Sequence, residues 1–154
     1  MRMNREVIIK TGDPNHPEAM ALLNASHALM TALFAPEENH FLSIDALTKP
    51  DILFFVAELD GSIAGCAALA LKDDYGEVKS MFVDPAKRGA RIGAKLLDRL
   101  ESEARSRNLP LLRLETGDSL TAARKLYTAH GFAIIGPFGD YEPAKTSIFM
   151  EKPL

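Results

Sequence analysis

The stretch "VDPAKRGARIGAKLLDRL", Val83 to Leu100, joins the end of an apolar strand to the start of an amphipathic helix through a corner holding Lys87, Arg88, Gly89, Arg91 and Gly93. A helix N-terminus carries unpaired backbone N–H groups and the positive end of a dipole, so a corner of small and basic residues there suits an anion. Lys87 and Arg88 supply charge, Gly89 and Gly93 permit close backbone approach, and the amides from Gly89 to Ala94 can point at a diphosphate. The same residues also suit a plain strand-to-helix turn with solvated charges, and local chemistry leaves both open. A Walker loop is excluded, because no G-x-x-x-x-G-K-[ST] is present, and "RGARIG" lacks the G-x-G-x-x-G of a dinucleotide fingerprint.

Outward from this corner, Ile92, Leu96, Leu97, Leu100 and Ala104 recur at helical spacing, and "RNLP" predicts the helix end at Asn108 and Pro110. Upstream, the apolar runs Leu53–Leu59 and Ser62–Leu71 flank Asp60-Gly61, a hairpin signal, and "KDDYGE" turns the chain into a strand at Val78–Val83. These three strands form an antiparallel meander. Before them, Glu6–Lys10 reads as a strand, "GDPNHPE" as a break and helix entry, and Ala19–Phe34 as a helix. The polar, proline-bounded "APEENHFLSIDALTKPD" predicts a loop around a short second helix near Ser43–Leu47. Downstream, Leu111–Glu115 reads as a strand, Leu120–His130 as a helix closed by Gly131, and Phe132–Ile135 and Thr146–Lys152 as two more strands. No repeat or linker divides residues 1–154, so one mixed α/β domain with a parallel crossover is expected.

Composition narrows the function. A chain of 154 residues, 47% hydrophobic and 25% charged, can bury a real core. The formal charge of -3 argues against a nucleic-acid or acidic-membrane partner held by bulk charge, so any anion site must be local. Cys66 is the single cysteine and the four histidines lack the close spacing of a metal site, which points to a reducing, cytoplasmic setting without disulfide or metal. The segment "MRMNREVIIKTG" has no apolar core of a leader, and no apolar run reaches the roughly 18 to 20 residues of a membrane helix.

Two motifs together resemble a known family, the GNAT superfamily of N-acetyltransferases. "MFVDPAKRGARIGAKLL", Met81 to Leu97, is similar to its strand, Arg/Gln-x-x-Gly-x-Gly/Ala, helix signature, with Arg88 first, Gly93 last and Arg91 in place of the middle glycine. "LRLETGDSLTAARKLYTAHGF", Leu112 to Phe132, resembles the second signature, a strand followed by A-x-x-L-Y-x-x-x-G-F. The resemblance covers essentially the whole chain and implies a mixed α/β sheet of about six or seven strands, splayed at its centre, with helices on both faces. It also implies acetyl-CoA as cosubstrate and no metal. The pyrophosphate would lie on the loop Lys87, Arg88, Gly89, Ala90, Arg91, Ile92, Gly93 and Ala94, and the pantetheine arm would pair with Met81, Phe82 and Val83.

The implied reaction is direct acetyl transfer to a primary amine in a ternary complex. An unperturbed alkylammonium has a pKa of about 10.4, so a base or a desolvating site must help. The resemblance implies Glu77 as that base, with Lys79 on the same strand face able to hold it ionised, and Tyr127 as the acid that protonates the departing thiolate beside the CoA sulfur. The backbone N–H of Val83 or Phe82 would hold the thioester oxygen. Glu77 also fits a solvent-facing hairpin residue, and Tyr127 an aromatic core residue with a satisfied hydroxyl.

Other residues stay open on the sequence alone. Arg91 is harmless if its φ is helical, which is the expectation, and costs of order 1 kcal/mol if φ is positive; its side chain either pairs with phosphate or lies in solvent. Glu115 ends a strand and either faces the acceptor site or is a strand-end charge. His130 is expected to cap a helix, and Cys66, among Ala64, Gly65, Ala67 and Ala68, to be a buried thiol. Phe138 and Tyr141 either border the acceptor pocket or clasp the domain. The acceptor is a small amine or a peptide amine, and a homodimer is an open option. Two other readings carry less: a CoA-binding module with weak catalysis, and a binder of some other phosphate ligand at the same loop.

Overall fold

The computed structural model describes residues 6–154. Seven strands, β1 (Val7–Thr11), β2 (Ile52–Leu59), β3 (Ser62–Leu71), β4 (Gly76–Val83), β5 (Leu111–Gly117), β6 (Ala133–Ile135) and β7 (Ser147–Pro153), form one sheet in the order β1-β2-β3-β4-β5-β7-β6. Three helices accompany them: α1 (Pro17–Leu33), α2 (Ile92–Ser106) and α3 (Thr121–Ala129). All neighbours are antiparallel except β4 and β5. The mixed, seven-stranded sheet matches the expected architecture.

Local chemistry sets these elements. Asp60 and Gly61 both take positive φ, 54° and 82°, which supplies the twist a tight two-residue hairpin needs between β2 and β3. Helix α2 ends where Asn108 turns left-handed (φ 59°) and Leu109 N–H reaches back to the Ala104 carbonyl, after which Pro110 forbids continuation. Helix α1 begins at Pro17, capped by the His16 ring, which accepts from Glu18 N–H at 3.2 Å. The second short helix expected near Ser43–Leu47 is a single 3-10 turn at Ala46–Thr48, because Lys49 and Pro50 leave no room for another turn.

Alternation along β2 feeds two cores. Phe55, Ala57 and Leu59 pack with Ile92, Leu96, Leu97 and Leu100 of α2 on one face, and Phe54 and Val56 pack with Ala19 and Leu23 of α1 on the other. Leu96, Leu97 and Leu100 are essentially inaccessible, and each such side chain contributes about 1.5–3 kcal/mol of apolar burial. The small residues of β3 let both helices come close: a Cβ on Gly65 would stand 2.9 Å from Ile92 Cγ2.

The centre of the sheet opens. Strands β4 and β5 pair only at Gly76↔Leu112 and Glu77↔Arg113, then diverge. A bulge in β4 accompanies the divergence: Phe82 pairs with Cys66 and Lys79 with Ala68, so Ser80 and Met81 oppose Ala67 alone, and Ser80 takes φ 54°. The bulge bends β4 away and leaves a fork between the C-terminal halves of the two strands.

One expectation is corrected here. Arg91 does not take a helical φ; it sits at φ 58°, ψ 33° as the N-cap of α2, a left-handed placement that costs an L-residue roughly 1–2 kcal/mol. The chain must swing from Gly89 (φ 99°) into the helix within three residues, and the left-handed step at Arg91 completes that swing.

Candidate active site

The mouth of α2 carries unpaired donors, and its loop, Lys87 to Ala94, is not among the residues lining the cavity at the fork. The first helical bond runs from Lys95 N–H to the Arg91 carbonyl, so the amides of Ile92, Gly93 and Ala94 have no partner within the helix. Lys87, Arg88, Gly89, Ala90 and Arg91 form the turn in front of them, tied at its start by Asp84, which accepts from Ala86 N–H at 3.0 Å. Gly89 is glycine because its φ of 99° excludes side chains, and Gly93 because a Cβ would lie 2.8 Å from Leu126 Cδ2 of α3. Thus Gly93 sets the spacing of the two helices, while Gly89 sets the turn.

Beyond the bulge, the strand alternation fixes which amides look into the fork. Asp84 N–H bonds the Ala64 carbonyl of β3 at 2.8 Å, and Phe82 pairs with Cys66 on that same side. The N–H of Val83, between them, therefore points away from β3 and into the fork. Of the two amides named for the thioester oxygen, Val83 has the direction the role requires.

A cavity of about 120 Å³ opens at the fork, lined by Lys79, Ser80 and Met81 of β4, Glu115, Thr116 and Gly117 of β5, and Tyr127 of α3, with Phe34, Glu38 and His40 on the opposite wall. Tyr127 is placed by the end of its own helix. Gly131 (φ 94°) closes α3, Phe132 N–H returns to the Tyr127 carbonyl at 3.0 Å, and the two rings meet at 5.8 Å. Burial, then the Glu115 charge, pushes the Tyr127 hydroxyl above its ordinary pKa, so it stays protonated as a donor.

Glu115 faces the cavity. Burial raises its carboxyl above the ordinary carboxylate range, against the hydrogen bond it accepts from Ser147 Oγ at 2.9 Å. Glu77, in contrast, is 4% exposed and is not among the residues lining the cavity. Its Oε2 accepts the Tyr141 hydroxyl at 2.5 Å and lies 3.4 Å from Lys79 Nζ. The expected Glu77–Lys79 pairing is present; the partner Tyr141 lies 64 residues away in sequence, where no periodicity points to it.

Residues outside the fork resolve as well. Cys66 is fully buried, donates to the Ser80 carbonyl at 3.3 Å, and burial pushes its thiol up to about 12. His130 is the C-cap of α3, its ring 3.2 Å from Asp98. Phe138 is buried in an aromatic cluster with Tyr75, Phe149 and Tyr141, so this loop clasps the domain, while Tyr141 also reaches the His40 ring at the cavity wall. Three features had no sequence signal. They are the bulge at Ser80, the contact of Glu38 with Thr146 Oγ1 at 2.8 Å, and the seating of Phe34 against Gly117, where a Cβ would stand 2.2 Å from the ring. Among the described residues no helix is long and apolar enough to cross a membrane, and no cluster of three or more His, Cys, Asp or Glu could hold a metal ion.

Comparison with known proteins agrees with this geometry. The model of the acetyltransferase (GNAT) family matches residues 20–132. An IAA acetyltransferase of Azospirillum brasilense is 44% identical over 150 residues, covering 96% of this chain and 98% of that protein. A Klebsiella pneumoniae structure assigned as an acyl-CoA N-acyltransferase superposes with a TM-score of 0.81 at 35% identity, covering 96% of this chain and 97% of the other. The N-acetyltransferase PaiA of Thermoplasma acidophilum, solved with coenzyme A, shares the fold with a TM-score of 0.75 at 16% identity, covering 97% and 99% of the two chains.

Proposed function

The chain belongs to the acetyltransferase (GNAT) family, and from that premise we propose that it moves the acetyl group of acetyl-CoA directly onto a small primary amine bound at the fork. The observation that carries the proposal is the cavity itself, in which Glu115 and Tyr127 line one space between the diverging strands, with Met81 the link on its wall to the strand that leads into α2. The unpaired amides of α2, with Lys87 and Arg88, suit a pyrophosphate, and the open side of β4 from Met81 to Val83 suits an amide-bearing arm. The coenzyme A seen with PaiA, a protein of the same fold, supports this assignment.

In the proposed reaction Glu115 accepts the proton of the incoming ammonium, a role supported by its raised carboxyl and its place on the cavity wall. The freed amine nitrogen attacks the thioester carbon, and Val83 N–H takes the developing negative charge on the carbonyl oxygen. The C–S bond then breaks; Tyr127, held protonated by burial, gives its proton to the thiolate, and the excess proton still on the new amide nitrogen passes through solvent to restore the Tyr127 hydroxyl. Glu38, ionised because Ala35 N–H and Thr146 Oγ1 hydrogen-bond it, adds negative potential that favours a cationic acceptor. The cavity volume favours a small amine over a folded protein. A reducing, cytoplasmic setting is supported by the single buried thiol.

The test is to follow thiol release from acetyl-CoA across a panel of small amines while measuring CoA binding by calorimetry. Release with at least one amine is expected. CoA binding without release from any amine would leave a binding module, and no CoA binding would overturn the reading.

A further inference from the structure

Two chain segments reach the cavity, 35–48 between α1 and β2, which contributes Glu38, Asn39, His40 and Phe41, and 136–146 between β6 and β7, which contributes Thr146. Lys79 joins them. Its Nζ donates to the His40 carbonyl at 3.0 Å on the first segment and to the Tyr141 hydroxyl at 2.7 Å on the second. Tyr141 in turn donates to Glu77 Oε2, which also balances the Lys79 charge at 3.4 Å. The His40 and Tyr141 rings meet at 5.2 Å, so the two segments also touch directly. Lys79 and Glu77 have side chains only 14% and 5% exposed, so the cluster works at low dielectric, where each bond is strong and each loss is felt.

Resting on the transferase reading above, we propose that Glu77, Lys79 and Tyr141 form a positioning clamp: they hold the two acceptor-side segments in register against β4 and thereby set acceptor affinity, without taking a proton from the acceptor. The carboxyl of Glu77 is committed to Tyr141 and Lys79 rather than to the cavity, and Lys79, the one member of the three that lines the cavity, is anchored on both sides. Its charge is thereby spent within the protein. The clamp positions residues that touch the acceptor, in particular the wall around His40.

Two variants test this in the full chain. Tyr141→Phe keeps the ring among Phe138 and Phe149 but removes the hydroxyl; Glu77→Gln keeps a hydrogen-bond acceptor but cannot serve as a base. For Tyr141→Phe we expect the acceptor KM to rise about tenfold while kcat stays within about threefold and CoA affinity is unchanged. For Glu77→Gln we expect kcat within about threefold of the wild type and the acidic limb of its pH profile retained. Hydrogen exchange gives a readout without turnover: Tyr141→Phe should speed exchange in both 39–48 and 138–146, with α3 unchanged. A Glu77→Gln variant that loses kcat together with the acidic limb would make Glu77 the base and overturn the clamp. So would unchanged exchange in both segments of Tyr141→Phe. If the wild type turns over no amine, the transferase reading fails, and the exchange experiment still decides the clamp.

Discussion

Tyr127 and Glu115 line one small cavity, and the proposed reaction gives them opposite tasks. A hydroxyl pushed up in pKa holds its proton until the thiolate forms, so Tyr127→Phe should lower kcat about a hundredfold and leave CoA affinity unchanged in calorimetry. A base must be ionised to act. Because burial raises the Glu115 pKa, activity should fall on acidification at a pH above the ordinary carboxylate value of about 4.3, and Glu115→Gln should abolish that limb together with most of kcat. Cys66, with its thiol pushed up to about 12, should resist a thiol reagent at pH 8 in the native chain and react at once in denaturant. At this scale the sequence is legible where a residue sits inside a local motif. Tyr127 could be named from its place in the A-x-x-L-Y-x-x-x-G-F run that carries the family resemblance, and it does line the cavity. The second partner of Glu77 beside Lys79, the Tyr141 hydroxyl, could not, because Tyr141 arrives on a distant loop and its chemistry leaves no mark on neighbouring residues.

Among the elements, the corner before α2 and the bulge in β4 carry most of the design. Both use left-handed residues that are not glycine, Arg91 and Ser80; glycine spacing marked the corner but not the conformation of Arg91, and it left the bulge without a mark. Replacing Arg91 by glycine should relieve strain worth more than the added freedom of the unfolded chain. The expected gain is about 0.5–1 kcal/mol, seen as a higher denaturant midpoint at an unchanged m-value. Gly117→Ala should do the reverse, since its methyl group must push Phe34 off the cavity wall. A loss of about 1–3 kcal/mol is expected from that overpacking, again read from the midpoint. The strands and helices themselves followed from turn chemistry and period. The length of the β4–β5 contact did not, because two adjacent parallel strands give the same apolar pattern whether they stay paired or part.

Across the whole molecule, the sheet consists of a four-stranded half, β1 to β4, and a three-stranded half, β5 to β7, meeting at two residue pairs. Side chains, not the ladder, hold the halves together: α2 crosses from one to the other, Gly93 lets it rest on Leu126, and the clasp around Phe138 ties β7 and its loop to Tyr75. Beyond Glu77 and Arg113, each half therefore presents an unfinished edge to the fork, lacking a strand of its own. The proposed cosubstrate, with amides along its length, would complete the sheet, which would make its binding, in backbone terms, the last step of folding. Amides such as Val83 should exchange as fast as those of a frayed strand in the free protein and slow sharply with CoA, while β2 and β3 stay unchanged.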